Sequence, residues 1–141
     1  KIYIAGDHAG YELKKALMES DLFADATIED LGPFSDESVD YPDFATPLAT
    51  AVAEDAEAKG ILICGSGNGV CMTANKNAKV RAGLAWTPEI AELTRLHNDA
   101  NVVCIPARFI DQNIAFEIVK TFINTAFEGG RHQRRVDKIA L

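Results

Sequence analysis

A cysteine followed by a glycine-rich loop is the part of the sequence best suited to chemistry. Cys64 closes the apolar run 60–64, and a loop of five small or polar residues follows it: Gly65, Ser66, Gly67, Asn68 and Gly69. Such a loop before a helix can aim several backbone N–H groups at one point and stabilise an oxyanion. A thiol beside a helix N-terminus can ionise near neutral pH and act as a base or nucleophile. The alternative is an inert, buried cysteine beside a tight strand–helix turn.

The loop matches none of the common phosphate-binding fingerprints. A GxGxxG motif that begins at Gly65 needs glycine where Val70 stands, and a cysteine-phosphatase loop needs arginine there. A Walker A loop needs a Lys-Ser/Thr pair, which the segment does not contain. The sequence therefore favours a site for a small anion or an oxyanion over a nucleotide site.

Basic and polar side chains elsewhere could bind a phosphate group. Arg131 and Arg135 are four residues apart, so on a helix they share one face and can clamp a phosphate with two guanidinium groups. Arg134 would point elsewhere, and an exposed basic helix is the simpler alternative for all three. Asp7 and His8 follow the first apolar run. They could contact a hydroxyl or a phosphate, or serve as a helix cap and a surface histidine.

Strand-like apolar runs alternate with amphipathic segments along the chain. The predicted strands are residues 1–6, 26–31, 60–64, 80–86 and 101–105. The predicted helices are residues 11–22, 44–59, the end of the glycine loop to about 75, 88–97, 110–127 and a basic C-terminal helix over about 131–141, with a loop at 33–43. This order predicts a single α/β domain over residues 1–141. Its fold would be a doubly wound, Rossmann-like three-layer sandwich with a five-stranded parallel sheet.

In such a fold, ligands bind beyond the carboxyl ends of the strands. The helix from Pro88 to His97 begins at that edge and is about 15 Å long at roughly 1.5 Å per residue. His97 should therefore lie far from Cys64 of the same chain. Either His97 is a plain helix cap, or it serves the site of a neighbouring chain, which predicts a dimer with composite sites.

Composition limits the remaining function classes. The net charge of −7 argues against nucleic-acid binding, and no apolar run approaches the roughly 20 residues that span a bilayer. The three cysteines have neither disulfide-scaffold nor metal-site spacing. We therefore expect a reduced, cytoplasmic protein with no membrane partner, and we assign Cys71 and Cys104 to inert positions.

Six ordered motifs together resemble type B ribose-5-phosphate isomerase, a family that includes the galactose-6-phosphate isomerase subunits. The motifs are residues 5–10 (AGDHAG), 40–42 (DYP), 64–69 (CGSGNG), 74–76 (ANK), 97–101 (HNDAN) and 128–136 (EGGRHQRRV). Each motif is modest alone, but their order and number make the combination specific. The resemblance spans nearly the whole chain.

The resemblance implies a reaction: interconversion of ribose 5-phosphate and ribulose 5-phosphate through an enediolate, in the pentose phosphate pathway. It implies that Cys64 is the base that removes the proton from C2 and returns it at C1. Ser66 stands where a hydroxyl helps to move protons, and residues 65–69 form the anion hole. His97 corresponds to the proton donor for ring opening and Asn98 to a substrate contact, both from the partner subunit.

The resemblance also implies the remaining substrate contacts and the assembly. Asp7 and His8 correspond to residues that bind the sugar phosphate, and Arg108, like Arg131 and Arg135, to a phosphate ligand. Tyr41 is a further candidate contact. We expect no metal and no cofactor, and a homodimer or a tetramer with shared sites.

One feature divides the family. Some members lack the cysteine and carry a glutamate where this chain has Val70, so Cys64 indicates the cysteine-base branch. Two alternatives stay open: an isomerase for a six-carbon sugar such as allose or galactose 6-phosphate, and a non-catalytic phospho-ligand-binding or phosphocarrier module.

Overall fold

Five short parallel strands form the sheet in this computed structural model, which describes residues 1–139. They are β1 (Ile2–Gly6), β2 (Ile28–Asp30), β3 (Lys59–Cys64), β4 (Ala82–Leu84) and β5 (Val102–Pro106). The spatial order is β2-β1-β3-β5-β4, and every neighbouring pair is parallel. The predicted five-stranded parallel sheet is therefore confirmed.

Helices cover both faces of the sheet, as the alternating pattern predicts. They are α1 (Tyr11–Glu19), α2 (Pro42–Ala53), α3 (Asn68–Ala74), α4 (Pro88–Leu96), α5 (Gln112–Asn124) and α6 (Arg131–Ile139). One hydrophobic cluster joins α1, α4 and α5 to one face, and a second joins α2 and α3 to the other. This arrangement confirms the three-layer α/β sandwich.

The second helix differs most from its predicted range of 44–59. It begins at Pro42, whose ring fixes a helical φ and whose missing N–H costs nothing in the first turn. It ends at Ala53 because Asp55 starts a turn: its carboxylate accepts from the N–H of Glu57, and its carbonyl accepts from the N–H of Ala58. The alanine-rich sequence predicted that the helix would continue past Ala53, but the hydrogen bonds of Asp55 end it there.

Most of the other elements are shorter than predicted, whereas β3 begins one residue earlier and β5 is shifted by one residue. Asp111 is the N-cap of α5 and accepts from the N–H of Ile114 at 2.8 Å, so that helix begins two residues later than predicted. Extended backbone at Ser20 ends α1 three residues early. The predicted C-terminal helix is present as α6, and its last two predicted residues, 140 and 141, lie outside the described residues.

The topology places a crevice at the carboxyl ends of β1 and β3. From β1 the chain turns to one side to make β2, and it then crosses over to make β3 on the other side, so this is a switch point of the sheet. Gly10 permits a close approach there, because a Cβ at this position would lie 2.5 Å from the carbonyl oxygen of Ile63. The segment after β1 is thereby held against the end of β3.

Lys14 is a buried lysine that joins α1 to the segment after β2. Its Nζ donates to Asp30 Oδ1 at 2.7 Å and to the carbonyl oxygen of Pro33 at 2.5 Å. We expect Lys14→Ala to lower the free energy of unfolding by about 2–3 kcal/mol, because the partly buried Asp30 carboxylate loses its counter-charge. Urea unfolding at fixed protein concentration measures this, with the exposed neighbour Lys15→Ala as the control. Equal midpoints for the two variants would contradict a stabilising role for Lys14.

The structure also bears on membrane insertion. Within residues 1–139, no helix has both the length and the apolar character needed to cross a bilayer.

Candidate active site

The loop between β3 and α3 presents free backbone donors at the carboxyl edge of the sheet. Gly67 has a φ of +77°, which glycine adopts without strain, and it caps the short helix α3. The N–H groups of Ser66, Gly67 and Gly69 have no hydrogen-bond acceptor within residues 1–139. The Ser66 hydroxyl accepts from the N–H of Asn68 at 3.3 Å. These three backbone N–H groups are therefore free to donate to a ligand.

Cys64 lies at the base of this loop, on the last residue of β3. Its side chain is 4% exposed and packs in the cluster beneath α2 and α3. Its carbonyl oxygen accepts from the N–H of Ala107 at 2.9 Å, which ties the end of β3 to the segment after β5. A reacting carbon would have to descend into the crevice to reach this sulfur.

Asp7 and His8 border the same crevice from the end of β1. Asp7 is buried, and its Oδ1 accepts from the N–H groups of Ala9 and Gly10 at 2.9 and 3.2 Å. It therefore acts as a cap through one oxygen, which leaves Oδ2 for a ligand. His8 Nδ1 accepts from the N–H of Val39 at 3.2 Å, so this imidazole carries its proton on Nε2 when neutral and can donate it to a ligand.

Arg108 and Tyr41 flank the glycine loop. The N–H of Arg108 donates to the carbonyl of Gly65 at 3.0 Å, and its Nη1 lies 3.3 Å from where a Cβ on Gly65 would stand. A Cβ on Gly69 would lie 2.5 Å from the Tyr41 ring, so a larger residue there would displace that ring. Both predicted contacts therefore reach the loop that follows Cys64.

His97 and Asn98 lie at the opposite edge of the sheet. Helix α4 begins after β4 and runs back for nine residues to the His97 cap, so the C-terminal end of α4 faces the amino ends of the strands. At roughly 1.5 Å per residue this is about 14 Å along the helix axis. His97 therefore lies near the amino ends of the strands and Cys64 at a carboxyl end, so the two are separated within one chain, as expected.

An ion-pair network fixes the turn that carries His97 and Asn98. Asp99, with a φ of +48°, accepts from Arg95 Nη1 at 2.9 Å and from Arg81 Nη2 at 3.3 Å. Arg95 is buried and also donates to the carbonyl oxygens of residues 100 and 125. These bonds hold the turn in place. A side chain that contacts a substrate needs such a fixed backbone.

Helix α6 adds two exposed arginines to the His97 end of the molecule. Arg131 and Arg135 stand one turn apart on its exposed side, while His132 and Val136 face inward. These arginines lie close enough to His132 to lower its pKa, so they are at the same end of the molecule as His97. Arg134 is also exposed, as expected.

His132 is the residue of this region that sequence analysis missed. Its ring stacks on His97 with centroids 4.3 Å apart and planes 15° apart. The ring is 5% exposed, and its Nε2 has no hydrogen-bond partner, with Glu128 Oε1 3.9 Å away. Burial lowers the pKa of His132, and the neighbouring His97, Arg131 and Arg135 lower it further, against the carboxylate of Glu128.

These side chains also have the spacing of a metal site. Among residues 1–139, the donor atoms of His97, Glu128 and His132 lie within 4.8 Å of one another. Nearly parallel rings aim their nitrogen lone pairs in similar directions rather than at one point, so an ion would require one ring to turn. The geometry suits stacking better than ligation.

The other two cysteines lie on α3 and β5. Interaction with Cys104 lowers the pKa of Cys71, against the effect of burial, while burial raises the pKa of Cys104 well above its ordinary value. Cys71 is partly exposed and its Sγ donates to the carbonyl oxygen of Ala82 at 3.3 Å. Alkylation alone would therefore not identify a catalytic thiol, because Cys71 is also a reactive candidate.

Comparison with known proteins agrees with this architecture. A family model described as ribose/galactose isomerase matches residues 2–139. A probable ribose-5-phosphate isomerase B of Mycoplasma genitalium is 46% identical over 98% of this chain and 92% of its own length. The ribose-5-phosphate isomerase B of Escherichia coli is 40% identical over 99% of this chain and 93% of its own length.

Solved structures match equally well. The crystal structure of ribose-5-phosphate isomerase B from Mycoplasma genitalium with bound ribulose-5-phosphate has a TM-score of 0.94 at 46% identity, over 99% of this chain and 93% of that one. A ribose 5-phosphate isomerase from Thermotoga maritima also has a TM-score of 0.94, at 44% identity over 99% and 96% of the two chains. With its sheet order, its glycine loop and a match along almost its entire length, this chain belongs to the ribose/galactose isomerase family.

Proposed function

We propose that this protein interconverts ribose 5-phosphate and ribulose 5-phosphate through an enediolate. The observation that supports this most directly is the thiol of Cys64 on the last residue of β3, followed at once by a loop in which three backbone N–H groups have no acceptor within residues 1–139. Family membership and the ribulose-5-phosphate complex of the Mycoplasma genitalium protein favour a five-carbon substrate. We place the reaction in a reduced cytoplasm, as the unpaired cysteines suggest.

The chemistry divides between a base and an oxyanion site. Cys64, as thiolate, takes the proton from C2 of the open aldose and returns it to C1, while the C1 oxygen becomes the enediolate oxygen. The N–H groups of Ser66, Gly67 and Gly69 stabilise that charge, and each such donor contributes roughly 3–4 kcal/mol to a transition state. The Ser66 hydroxyl shuttles the proton between the two oxygens. No step requires a metal or another cofactor.

The groups assigned to ring opening and to phosphate binding include residues that lie, within one chain, at the edge of the sheet opposite Cys64. We infer a homodimer in which His97 of the partner subunit protonates and deprotonates the ring oxygens, with Asn98 beside it. Arg131 and Arg135 would reach the phosphate from the same side, and Arg108 from the glycine loop. Asp7, His8 and Tyr41 would complete the contacts to the sugar phosphate, for a site shared by two chains.

An exposed apolar face on α4 suggests how two chains meet. Ile90 and Leu93 are about 40% exposed and lie on the same helix face as His97. Trp86 and Phe109 continue this face at the carboxyl edge, with ring centroids 5.4 Å apart. A two-fold axis across the middle of α4 would bring His97 of each chain to the carboxyl edge of the other. Dimers of such dimers would give the tetramer.

Substrate class is tested by hydrogen–deuterium exchange at C2 of a panel of five- and six-carbon aldose phosphates in D₂O. We expect exchange and ketose formation with ribose 5-phosphate, and slower reaction with allose and galactose 6-phosphates. Faster reaction with a six-carbon sugar phosphate would show that this sugar, rather than ribose 5-phosphate, is the preferred substrate. Binding without exchange, or a phosphocysteine detected by mass, would replace the isomerase with a binding or phosphocarrier module.

The phosphate clamp is tested on α6. We expect Arg135→Ala to raise KM for ribose 5-phosphate roughly 10- to 100-fold, because charge-assisted hydrogen bonds to phosphate are lost. Steady-state kinetics measures this, and Arg134→Ala is the matched control because it removes an equal charge from the same helix. If both variants raised KM alike, a general electrostatic effect would replace the clamp.

A further inference from the structure

We propose that His132 is a positioning residue that holds the His97 imidazole, by stacking, in the orientation required for proton transfer at the sugar ring. This inference rests on the proposed isomerase function, and it assigns a role to a residue outside the substrate contacts described above. His132 itself touches no substrate in this account.

The stacking geometry carries the inference. The two rings are face to face at 4.3 Å and nearly parallel, so the ring of His97 has a flat surface against one side. His97 is at the C-cap of α4, where the backbone no longer restrains it as a helix interior would. Its N–H still donates to the carbonyl of Leu93 at 2.9 Å, so the backbone is fixed and the ring orientation is what stacking adds.

His132 is itself held in place by its surroundings. Its N–H donates to the carbonyl of Gly129 at 3.1 Å, and Val136 is buried one turn later on the same face of α6. Glu128, just before this helix, donates its N–H to the carbonyl of Leu96, the last residue of α4. The Glu128–Leu96 hydrogen bond therefore attaches the start of α6 to the end of α4, and the stacked histidines make a second contact between the two helices.

The unpartnered nitrogen of His132 distinguishes stacking from hydrogen bonding. A buried Nε2 without a partner is unfavourable, and the Glu128 carboxylate at 3.9 Å is too far for a hydrogen bond. The ring is therefore held by its faces rather than by its nitrogens. The depressed pKa of His132 keeps it uncharged near neutral pH, so it does not repel His97 when His97 carries a proton.

The position of His132 on α6 also links phosphate binding to the orientation of His97. His132 lies next to Arg131 and one turn from Arg135, the arginines assigned to the phosphate. A phosphate bound by this helix thus sits at a fixed place relative to the ring that His132 orients. Loss of the stacking alone should disturb proton transfer more than phosphate binding.

Two substitutions of His132 distinguish a role for its flat ring from a role for its ring nitrogens. We expect His132→Ala to lower kcat with ribose 5-phosphate on the order of 10- to 100-fold, as small misplacements of catalytic groups do. KM should change by less than about threefold, since the arginines remain. His132→Phe, which keeps a flat ring and removes both nitrogens, should retain kcat within about threefold of the wild type. A phenylalanine variant as slow as the alanine variant would overturn stacking as the mechanism.

Proton exchange at C1 of ribulose 5-phosphate provides a readout that a general loss of structure would not spare. This ketose cannot close a furanose ring because its 5-hydroxyl is phosphorylated, so the exchange needs no ring opening. We expect His132→Ala to retain this exchange within about threefold while net turnover of ribose 5-phosphate falls. Equal losses in both assays would show that the substitution damages the whole site, and no loss in either would remove His132 from the mechanism.

A spectroscopic measurement is independent of activity. In the wild-type protein, the ring protons of His97 should resonate upfield because they lie over the face of His132. They should move downfield in His132→Ala and less so in His132→Phe. An unchanged His97 resonance in the alanine variant would contradict stacking. Absence of turnover in the wild type would instead refute the proposed function and leave this structural test intact.

Discussion

Replacing Cys64 by alanine is expected to lower the rate of ribose 5-phosphate isomerisation by at least about 10³-fold, within the range of general-base catalysis. The small side chain leaves the glycine loop and the phosphate ligands in place but removes the thiol at the end of β3 to which we assign acceptance of the C2 proton. The rate is measured by the appearance of ketose. Substrate affinity, measured calorimetrically on the variant, should change little.

Cys71→Ala is the matched control for this result. It removes a thiol that is more exposed than Cys64 and packs at the edge of the same cluster, and its Sγ donates to the carbonyl oxygen of Ala82. We expect it to retain nearly full activity. Turnover by Cys64→Ala at the wild-type rate would remove Cys64 from the role of base, whatever its position beneath the loop.

Two inactive subunits are expected to restore activity to each other. A Cys64→Ala chain and a His97→Ala chain, co-expressed with different affinity tags and purified as the heterodimer, should have about half the wild-type activity per dimer. One of its two sites then combines an intact Cys64 with an intact His97, and the other site lacks both. The physical reason for this expectation is that α4 carries His97 to the edge of the sheet opposite Cys64 of the same chain.

The reciprocal heterodimer is the decisive control. It pairs a wild-type chain with a chain that carries both substitutions. If sites are shared, each of its sites lacks one residue and the dimer should be nearly inactive. Half activity in this control, together with none in the first heterodimer, would place Cys64 and His97 of one chain in the same site and contradict a shared one.

Much of the fold could be predicted from the sequence because the signals were local. Apolar runs identified β1, β3 and β5, and helical spacing identified the helices between them. Boundaries failed where a side chain competed for the backbone. Asp55 ended α2 early and Asp111 capped α5, and both effects depend on hydrogen bonds that composition does not reveal.

The candidate site could be predicted in two unequal parts. Residues at strand ends, such as Cys64, or just after them, such as Asp7, were located by topology, since parallel strands present their carboxyl ends at one edge. The direction of α4 also placed His97 correctly at the far edge. The neighbourhood of His97 could not be predicted, because it depends on where α6 packs after two glycines with positive φ at residues 129 and 130.

The role of the C-terminal helix changed most between sequence and structure. Four-residue spacing correctly predicted that Arg131 and Arg135 share an exposed helix. It could not indicate that this helix lies beside His97, with the ring of His132 stacked on that of His97. Stacking of two histidines separated by 35 positions has no periodic signature, so only the packed chain could reveal it.

The most direct test of Cys64 as the proton carrier is solvent exchange at C1 of ribulose 5-phosphate in D₂O, followed by NMR. The wild-type protein should introduce one deuterium stereospecifically at C1, and Cys64→Ala should introduce none above the uncatalysed background. Stereospecific exchange by Cys64→Ala at a rate close to that of the wild type would contradict the assignment and require another base in the crevice.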